Sequence, residues 1–314
     1  MKSFTISSKD AGTRVDRFIS KTFSHLPKSL MHKEIRKKNI KVNKKKCTPQ
    51  QVLCEGDVLE LYLKDDVLEL KEKHYDFLKA STDLDIIYED DNIILLNKKV
   101  GVLCHPDGRD YTDNLVARLK RYLYEKNQWS PETDSFTPSL ANRIDRNTGG
   151  IVIGAKNAQA LKIINDKIKN REIEKYYLTV VHGKMEKADD LLTAYLKKNE
   201  KTNTVTVTDQ QVPGSKKIIT EYKVLDYYDG ASLLEVKLHT GRTHQIRAHL
   251  AHIGHPLFGD GKYGKEQGRY RQALYSYKLT FKFSDENSLS YLNNKTFQAE
   301  NIQLTEDFKE RKFK

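Results

Sequence analysis

Two short amphipathic helices and a strand are predicted at the start of the chain. Apolar residues recur at helical spacing in two segments on either side of Pro27, namely Val15, Phe18, Ile19 and Phe23, then Leu30, Met31 and Ile35. We expect Asn39 to end the second helix. Ile40 and Val42 then alternate with polar residues, which is typical of a strand that runs into a turn.

A second, larger domain is predicted from about residue 82. Residues 66–81 are charged and without a period, so we interpret them as a linker. Two apolar runs, 86–88 and 93–96, then flank a polar turn at 89–92, which is the pattern of a β-hairpin. A helix is predicted from Asp113 to about Lys126, because apolar residues share one of its faces.

The remaining pattern predicts the fold class and the division into domains. Helical stretches such as 158–173 are interspersed with strands such as 174–183, which favours an α+β domain around a mixed, mainly antiparallel sheet. We therefore expect a small N-terminal α/β domain at 1–65, the linker at 66–81 and the larger domain at 82–300. The charged C-terminal tail, 301–314, is predicted to be loose.

Charge adds a candidate partner to this outline. Lysine and arginine outnumber aspartate and glutamate by 55 to 43, and the formal net charge is +12. Many of the cations crowd the end of the second helix and the following strand and turn, at Lys33, Arg36, Lys37, Lys38, Lys41, Lys44, Lys45 and Lys46. Such a cluster can be a merely solvated face, but its density favours a surface that binds nucleic acid, because like charges repel unless an anion offsets them.

Other features limit the cellular location and the class of protein. No run approaches the roughly 18 apolar residues of a membrane helix, and the first ten residues lack the apolar region expected of a secretory signal. Three cysteines, Cys47, Cys54 and Cys104, form no C-x-x-C pair and are expected to be reduced thiols. We therefore expect a cytoplasmic protein with no membrane partner. A monomer is expected, because no heptad repeat or long apolar face is present.

Three segments carry candidate chemistry. In residues 139–154, two strand-like stretches flank a tight connection that contains Asp145, although an aspartate beside glycines is usually part of a turn. In the strand 174–183, Tyr176 and Tyr177 should point to opposite faces, one to the core and one to a cleft. In residues 240–256, Thr243 is expected to cap a helix and Gly254 to end it.

Arg247 and the histidines of this third segment allow more than one interpretation. Arg247 lies at the edge of the helix face formed by Ile246, Leu250 and Ile253. A half-buried arginine needs an anionic partner, which a carboxylate from another segment would supply. His249 and His252, three residues apart, could share a metal, but no cysteine or carboxylate joins them at ligand spacing. We therefore predict no metal site.

Together the three segments resemble the RluA-type RNA pseudouridine synthases. That family carries an H-R-L-D-x-x-T-S-G motif, a K-x-Y strand and a G-R-T/S-H-Q-I/L-R helix, in this order. Here they read Asn142–Gly150, Lys175–Tyr177 and Gly241–Arg247, and Gly254–Asp260 is also similar to the family. The resemblance covers about residues 82–280. It departs from the family at Asn142, Gly149 and the upstream element Asn97–Gly101, which puts the choice of target in doubt more than the activity.

The first 65 residues resemble an S-four type RNA-binding domain, as found in synthases of large-subunit ribosomal RNA. The matching residues are Arg14–Ile19, Lys28-Ser29, Ile40–Asn43 and Gly56–Val58. The two resemblances imply RNA contacts at Arg14, Arg17, Lys28, Ser29, Arg36, Lys37, Lys41, Arg242 and His244. Ribosomal RNA is the expected substrate, and transfer RNA remains an alternative.

The family resemblance implies a reaction and a set of catalytic residues. The reaction breaks a C–N glycosidic bond, turns the uracil and rejoins it through carbon, so no cofactor is expected. Asp145 would act as nucleophile or base, and Arg247 would hold it ionised. Tyr177 would pack against the base or also assist proton removal from it, and Arg143 would fill the space that the flipped uridine leaves.

Other classes of protein fit the sequence less well. A non-catalytic RNA-binding assembly factor would share the basic N-terminal module but would not need Asp145, Tyr177 and Arg247 together. A glycosidase needs two placed carboxylates and a metal nuclease needs an acidic cluster, whereas Asp65-Asp66 and Asp90-Asp91 lie in a linker and a turn. The helix motif at Gly241–Arg247 argues against a synthase of the small-subunit ribosomal type.

Overall fold

The computed structural model describes residues 2–23, 26–63, 75–107, 112–200, 202–264 and 272–313. The first domain is an antiparallel sheet with strand order β1-β4-β2-β3 and two helices packed on it. Its elements are β1 (Lys2–Thr5), α1 (Val15–Thr22), α2 (Lys28–Arg36), β2 (Ile40–Val42), β3 (Lys45–Lys46) and β4 (Val58–Leu61). The predicted helices and strand are confirmed, and their apolar stripes form one core with the sheet.

The end of helix α2 differs from the prediction. The helix stops at Arg36, and Lys38, with φ 65°, is the residue in the left-handed conformation. Asn39 instead directs its side-chain amide to the Glu34 carboxylate at 2.6 Å. Asn39 was therefore the wrong residue for the stop, because Lys38 takes the left-handed position one residue earlier.

The second domain is built on a large sheet that continues through eleven of the described strands. The path runs β11-β10-β12-β13-β9-β14-β8-β6-β5, with β15 beside β14 and β7 beside β8. Its first strands are β5 (Ile86–Glu89), β6 (Ile93–Lys98), β7 (Ser139–Leu140), β8 (Gly149–Ala155), β9 (Ile173–His182) and β10 (Asp189–Asn199). The others are β11 (Thr204–Thr208), β12 (Lys216–Tyr228), β13 (Ala231–Leu238), β14 (Leu274–Phe281) and β15 (Thr296–Gln298).

The strand pairing confirms the predicted fold class. All neighbouring strands are antiparallel except β14 and β8, which are parallel, so the sheet is mixed and mainly antiparallel. The helices of this domain are α3 (Leu115–Glu125), α4 (Ala158–Lys169), α5 (Gln245–His252) and α6 (Gln303–Lys309). The predicted hairpin is β5 with β6. Helix α4 ends four residues before Ile173, which already belongs to β9.

The centre of the sheet is covered on both faces, which explains its unbroken apolar runs. Ile151 and Ile153 of β8 pack into one core with helix α4, whereas Val152 packs into another with helix α3. Residues of β6 divide in the same way. Because side chains alternate between the faces of a strand, a strand buried on both sides must be apolar at every position.

Gly150 allows the parallel pairing of β8 with β14. It has φ 109°, and a Cβ atom on it would lie 2.1 Å from the carbonyl oxygen of Ser276. Only glycine accommodates both the backbone angle and this close approach. The pairing matters for function because Gly150 lies five residues after Asp145.

The predicted loose tail is wrong. Residues Gln303–Lys309 form helix α6, and Leu304, Phe308 and Phe313 are buried in the main core of the second domain. Phe313 is only 1% exposed and lies against Phe258, with ring centroids 5.4 Å apart. The charged residues between these apolar ones face outward, so the high charge of the segment hid an amphipathic pattern.

The predicted linker is tested only at its end. Residues 66–74 of it lie outside the described residues. Residues Asp76–Lys79 form a 3-10 helix, and Phe77 packs against Trp129 of the second domain at 5.4 Å between ring centroids.

The two domains also touch directly, because buried Asp10 accepts hydrogen bonds from Ser135 and from the Phe136 backbone amide. The exact domain boundaries stay a prediction.

Candidate active site

A cleft of about 650 Å³ lies between the connection that precedes β8, the strand β9 and the start of helix α5. It brings together the six residues that the sequence singled out in the second domain: Arg143, Asp145, Tyr177, Arg242, His244 and Arg247. The described lining has an excess of positive charge, with Arg143, Arg146, Lys175, Arg242 and Arg247 against Asp107 and Asp145. Such a cleft suits a polyanion.

Asp145 is presented to the cleft by the connection between β7 and β8. Its side chain is 33% exposed, and its Oδ2 accepts a hydrogen bond from Arg247 Nη1 at 2.8 Å. Among the described residues no hydrogen-bond donor contacts its other oxygen, Oδ1. Arg247 therefore holds one carboxylate oxygen and leaves the second available to a bound molecule.

Arg247 is held from behind by a second carboxylate, that of Asp260. Its Nε and Nη2 donate to the two oxygens of Asp260 at 2.7 and 2.8 Å, and Asp260 is only 1% exposed. Burial acts to lower the pKa of Arg247, but the two carboxylates outweigh it and raise that pKa. The guanidinium is therefore a permanent cation whose orientation is set by Asp260.

Lys98, at the end of β6, is hydrogen-bonded to the connection between β7 and β8 that contains Asp145. Its ammonium is buried and donates to the backbone carbonyls of Lys99, Val102 and Arg146 at 3.1, 2.8 and 3.1 Å. Burial lowers the pKa of Lys98 to about 8. The Gly101 amide also donates to the Arg146 carbonyl at 2.8 Å. These bonds fix the backbone immediately after Asp145.

Tyr177 is the tyrosine of β9 that faces the cleft. It lines the cleft and is buried among apolar residues of β13, helix α5 and β14, whereas half-buried Tyr176 lies on the opposite face beside Lys237 and Lys278. Burial raises the pKa of Tyr177 to about 12, and the negative charge of Asp145 acts in the same direction. Its hydroxyl therefore stays protonated near neutral pH, which favours a packing role over proton abstraction.

Helix α5 begins differently from the prediction and ends as predicted. The residue before its first turn is His244, with the left-handed φ of 53°, and no side chain caps the helix start, so the proposed Thr243 cap is wrong. Gln245 instead turns back and accepts a hydrogen bond from the Arg242 amide at 3.1 Å. Gly254 has φ 90°, as expected of a left-handed stop.

The departures from the family motif have local structural reasons. A Cβ atom on Gly149 would lie 2.6 Å from the ring of Tyr275, whose hydroxyl donates to Asn97 Oδ1 at 2.5 Å. Gly149 thus makes room for Tyr275. Asn142 accepts a hydrogen bond from the Ile153 amide at 2.8 Å, which ties the start of the connection to β8.

The N-terminal residues predicted to contact RNA do not reach this cleft. Arg17, Lys28, Ser29, Arg36 and Lys37 are exposed on the first domain, whereas Arg14 and Lys41 are half-buried. Their RNA contacts stay a prediction. Three of them have partners among the described residues. Arg14 donates to Asp16 at 2.6 Å, Lys37 Nζ lies 3.8 Å from Glu34 Oε1, and the Lys41 ammonium lies 5.0 Å from the ring centroid of Tyr62.

The two histidines of helix α5 that could have shared a metal have separate hydrogen-bond partners. His249 is buried, with its Nδ1 at 2.9 Å from Thr220 Oγ1, and His252 Nε2 lies 2.8 Å from Asp209 Oδ1. Within the described parts of the chain, no group of three or more histidine, cysteine, aspartate or glutamate side chains could hold a metal ion.

No described helix is long and apolar enough to cross a bilayer.

Three residues of the site were not identified from the sequence, namely Lys98, Asp260 and Tyr263. Asp260 lies in the segment Gly254–Asp260 that resembles the family, and Lys98 lies in the element Asn97–Gly101. Their motifs were visible, but nothing in the linear pattern assigned them a partner. Tyr263 gave no signal at all before the fold placed its hydroxyl 2.8 Å from His244 Nδ1.

Comparison with known proteins is consistent with this geometry. Residues 92–252 match the family described as RNA pseudouridylate synthase. The chain is 33% identical to an uncharacterized RNA pseudouridine synthase of Mycoplasma genitalium, over 93% of this chain and 92% of that protein. It is 32% identical to the ribosomal large subunit pseudouridine synthase C of Vibrio vulnificus, over 81% of this chain and 77% of that protein.

A solved structure supports the fold. Human RNA pseudouridylate synthase domain containing 1 superposes with a TM-score of 0.53 and 21% identity, covering 76% of this chain and 98% of that one. The chain therefore belongs to the RNA pseudouridylate synthase family, and the resemblance to RluA-type synthases is confirmed. It is a pseudouridine synthase, an isomerase that acts on RNA.

Proposed function

We propose that this enzyme converts a uridine of large-subunit ribosomal RNA into pseudouridine, with Asp145 as the reacting carboxylate. The observation that carries the assignment is the contact of Asp145 Oδ2 with Arg247 Nη1 at 2.8 Å inside a basic cleft. The named relative from Vibrio vulnificus, a ribosomal large subunit synthase, supports the choice of ribosomal RNA. Transfer RNA is the alternative substrate.

The cleft residues divide the work of the reaction among them. Arg247 orients Asp145 through the hydrogen bond from its Nη1 to Oδ2, and leaves Oδ1 free. Asp145 then starts the cleavage of the glycosidic bond through its free Oδ1, as a nucleophile or as a base. Tyr177 packs against the uracil while it turns. The uracil then bonds to the sugar through carbon, and that carbon releases its hydrogen as a proton while the nitrogen freed from the sugar takes one up.

Access to Asp145 requires the target to leave its stack, at a cost of roughly a few kcal/mol. Arg143 is exposed at the rim of the cleft, two residues before Asp145. We assign to it the filling of the space that the flipped uridine vacates. Arg242, exposed on the other side of the cleft, is assigned to contact the RNA backbone.

Position-resolved pseudouridine mapping tests the reaction and its nucleophile. Unmodified ribosomal and transfer RNAs are treated with wild type, with Asp145→Asn and, as a matched control, with Asp107→Asn, which removes another carboxylate of the cleft lining. We expect new pseudouridines in large-subunit RNA with wild type and Asp107→Asn, and none with Asp145→Asn. Near-normal activity of Asp145→Asn would end its assignment, and modification of transfer RNA alone would correct the substrate.

We further propose that the exposed cations of the first domain bind RNA. Arg36 and Lys37 lie together at the end of helix α2. Replacing both with glutamine should weaken RNA binding and reduce the slope of log K against log salt by about 1 for each phosphate that is no longer neutralised. The control replaces Lys309 and Lys312 of the C-terminal segment with glutamine, which changes the net charge by the same amount. Equal slopes for both double variants would remove the RNA role of this surface.

We also propose that the enzyme works as a monomer in the cytoplasm. In support, Cys47, Cys54 and Cys104 are free thiols, as expected in a reducing compartment. Light scattering coupled to size-exclusion chromatography tests the first part, with a mass near 36.4 kDa expected. A mass twice as large would refute it.

A further inference from the structure

His244 lies between the reacting carboxylate and a tyrosine that the reaction scheme above does not use. Its Nδ1 is 2.8 Å from Tyr263 Oη, and its Nε2 is 3.7 Å from Asp145 Oδ2. The side chain is only 7% exposed. Its backbone holds φ 53°, a conformation that a residue other than glycine keeps only when its surroundings impose it. The ring is therefore fixed by a hydrogen bond at Nδ1, and its Nε2 faces the carboxylate of Asp145.

The hydrogen bonds of Tyr263 decide which nitrogen of His244 carries the proton. Tyr263 Oη already accepts the backbone N–H of Val205 at 3.0 Å. If Nδ1 carried the proton, the same oxygen would have to accept a second bond, and its own hydrogen would have no acceptor among the described residues. Tyr263 therefore donates to a bare Nδ1, and the ring hydrogen is on Nε2, the nitrogen that faces Asp145.

The charges around the ring keep it neutral. Burial lowers the pKa of His244, against the effect of Asp145, and Arg247 and Lys262 act in the same direction as burial. Tyr263 also lies over the guanidinium of Arg247, with 5.2 Å between its ring centroid and the Arg247 carbon. One tyrosine thus contacts both groups that face Asp145 Oδ2.

We propose that Tyr263 fixes His244 in the Nε2–H tautomer, so that His244 donates to Asp145 Oδ2 and holds the carboxylate for reaction. The present 3.7 Å is longer than a hydrogen bond, but such contacts are often long in a free enzyme and shorten when substrate is bound. His244 and Tyr263 are positioning residues in this scheme, because they act through Asp145. The inference rests on the proposed role of Asp145.

This assignment differs from the RNA contact that the sequence predicted for His244. A residue that binds RNA changes the affinity, whereas one that orients Asp145 changes the rate of the chemical step at saturating RNA. Two substitutions of His244 separate these roles. The amide nitrogen of glutamine can take the place of Nε2, whereas that of asparagine reaches only to the place of Nδ1.

The experiment measures single-turnover rate and RNA affinity for wild type, His244→Gln and His244→Asn. We expect His244→Asn to lose about ten- to a hundredfold in rate, the value of one hydrogen bond to a charged group, and His244→Gln to retain most of the rate, with affinities unchanged. Asparagine tolerates the left-handed backbone better than glutamine does. A role in backbone strain alone would therefore reverse the order and overturn the proposal, as would a loss of affinity with an unchanged rate.

Tyr263→Phe tests the tautomer directly. The nitrogen chemical shifts of the His244 ring, assigned by their absence in His244→Asn, should show Nε2–H in wild type and a mixture in Tyr263→Phe, together with a several-fold lower rate. A proton on Nδ1 in wild type would refute the proposal. An inactive wild type would instead refute the proposed function, while the tautomer measurement would still stand.

Discussion

Replacing Asp260 with asparagine tests whether the second carboxylate behind Arg247 is essential to the site. Asp260 accepts two hydrogen bonds from the Arg247 guanidinium and two more from the backbone amides of Lys262 and Tyr263. Asparagine has nearly the same shape but no charge. It also places an NH2 group where the guanidinium needs an acceptor, so one of the two bonds to Arg247 becomes a contact between donors.

The expected loss of stability follows from the burial of this pair. Removing one partner of a buried ion pair costs about 3–5 kcal/mol, because the remaining charge is left without compensation. Arg247 keeps its contact with Asp145, so we expect the lower end, about 3 kcal/mol. Domains are stable by roughly 5–15 kcal/mol, so the variant should still fold. Its turnover should fall more than its RNA affinity, because Arg247 loses its fixed orientation.

The pH dependence provides a second signature. Burial acts to raise the pKa of Asp260, but Arg247 outweighs it and lowers that pKa in the folded protein. The stabilisation is therefore complete above the pKa of an unfolded aspartate, about 3.9, and is lost as pH falls through the lower folded value. The difference in unfolding free energy between wild type and variant should be constant from pH 7 to about 5 and shrink in acid.

Urea unfolding at several pH values measures both quantities, with Asp10→Asn as the control. Asp10 is equally buried, but its hydrogen bonds come from neutral donors, Ser7, Ser135 and the Phe136 amide, and asparagine retains an oxygen for them. We expect the control to lose much less stability. A loss below about 1 kcal/mol for Asp260→Asn, or a difference that does not change in acid, would refute the reasoning.

Further predictions concern packing and charge around the cleft. Gly150→Ala should unfold the second domain, because its Cβ would lie 2.1 Å from Ser276 O, whereas Gly12→Ala, with open space around it, should cost only about 1–2 kcal/mol of backbone strain in urea unfolding. Lys175→Met should raise KM for RNA more than it lowers kcat, since this cation of the cleft has no acidic partner among the described residues, and Lys175→Arg should restore KM. Lys98→Met should reduce the unfolding free energy by about 2 kcal/mol, because it leaves buried carbonyls without a donor. Equal stability of Gly150→Ala and Gly12→Ala, or an equal KM for Lys175→Met and Lys175→Arg, would contradict these expectations. A Lys98→Met variant as stable as the wild type would do the same.

Much of the fold could be read from short-range pattern. Helices α1 and α3 follow from apolar residues at helical spacing, and the β5–β6 hairpin follows from two apolar runs around a polar turn. The prediction of a loose tail was wrong because the high net charge of the segment hides a buried apolar face. Four residues, all of them charged, separate Phe308 from Phe313 in the chain, yet both phenylalanines are buried.

The site was predicted only in part, because the sequence does not show which distant residues come into contact. Asp145, Tyr177 and Arg247 were found through motifs, and the need of Arg247 for a carboxylate was inferred from its place on the helix. Which carboxylate it meets is a property of the fold, because Asp145 lies 102 residues away in the chain. The second partner, Asp260, and the role of Lys98 in the backbone after Asp145 could not be inferred from spacing.

The sequence alone determined the class of enzyme and the α+β architecture, and it predicted the residues to which we assign the chemistry. These depend on local periodicity and on motifs whose members are close in the chain. The tertiary structure decided the partners of each group: Asp260 behind Arg247, Tyr263 beside His244, and Gly150 against Ser276. Contacts between distant segments depend on the register of the sheet and on burial. Burial matters because a buried charge without a partner is too costly to persist. Neither the register nor the burial of these residues can be inferred from the linear sequence.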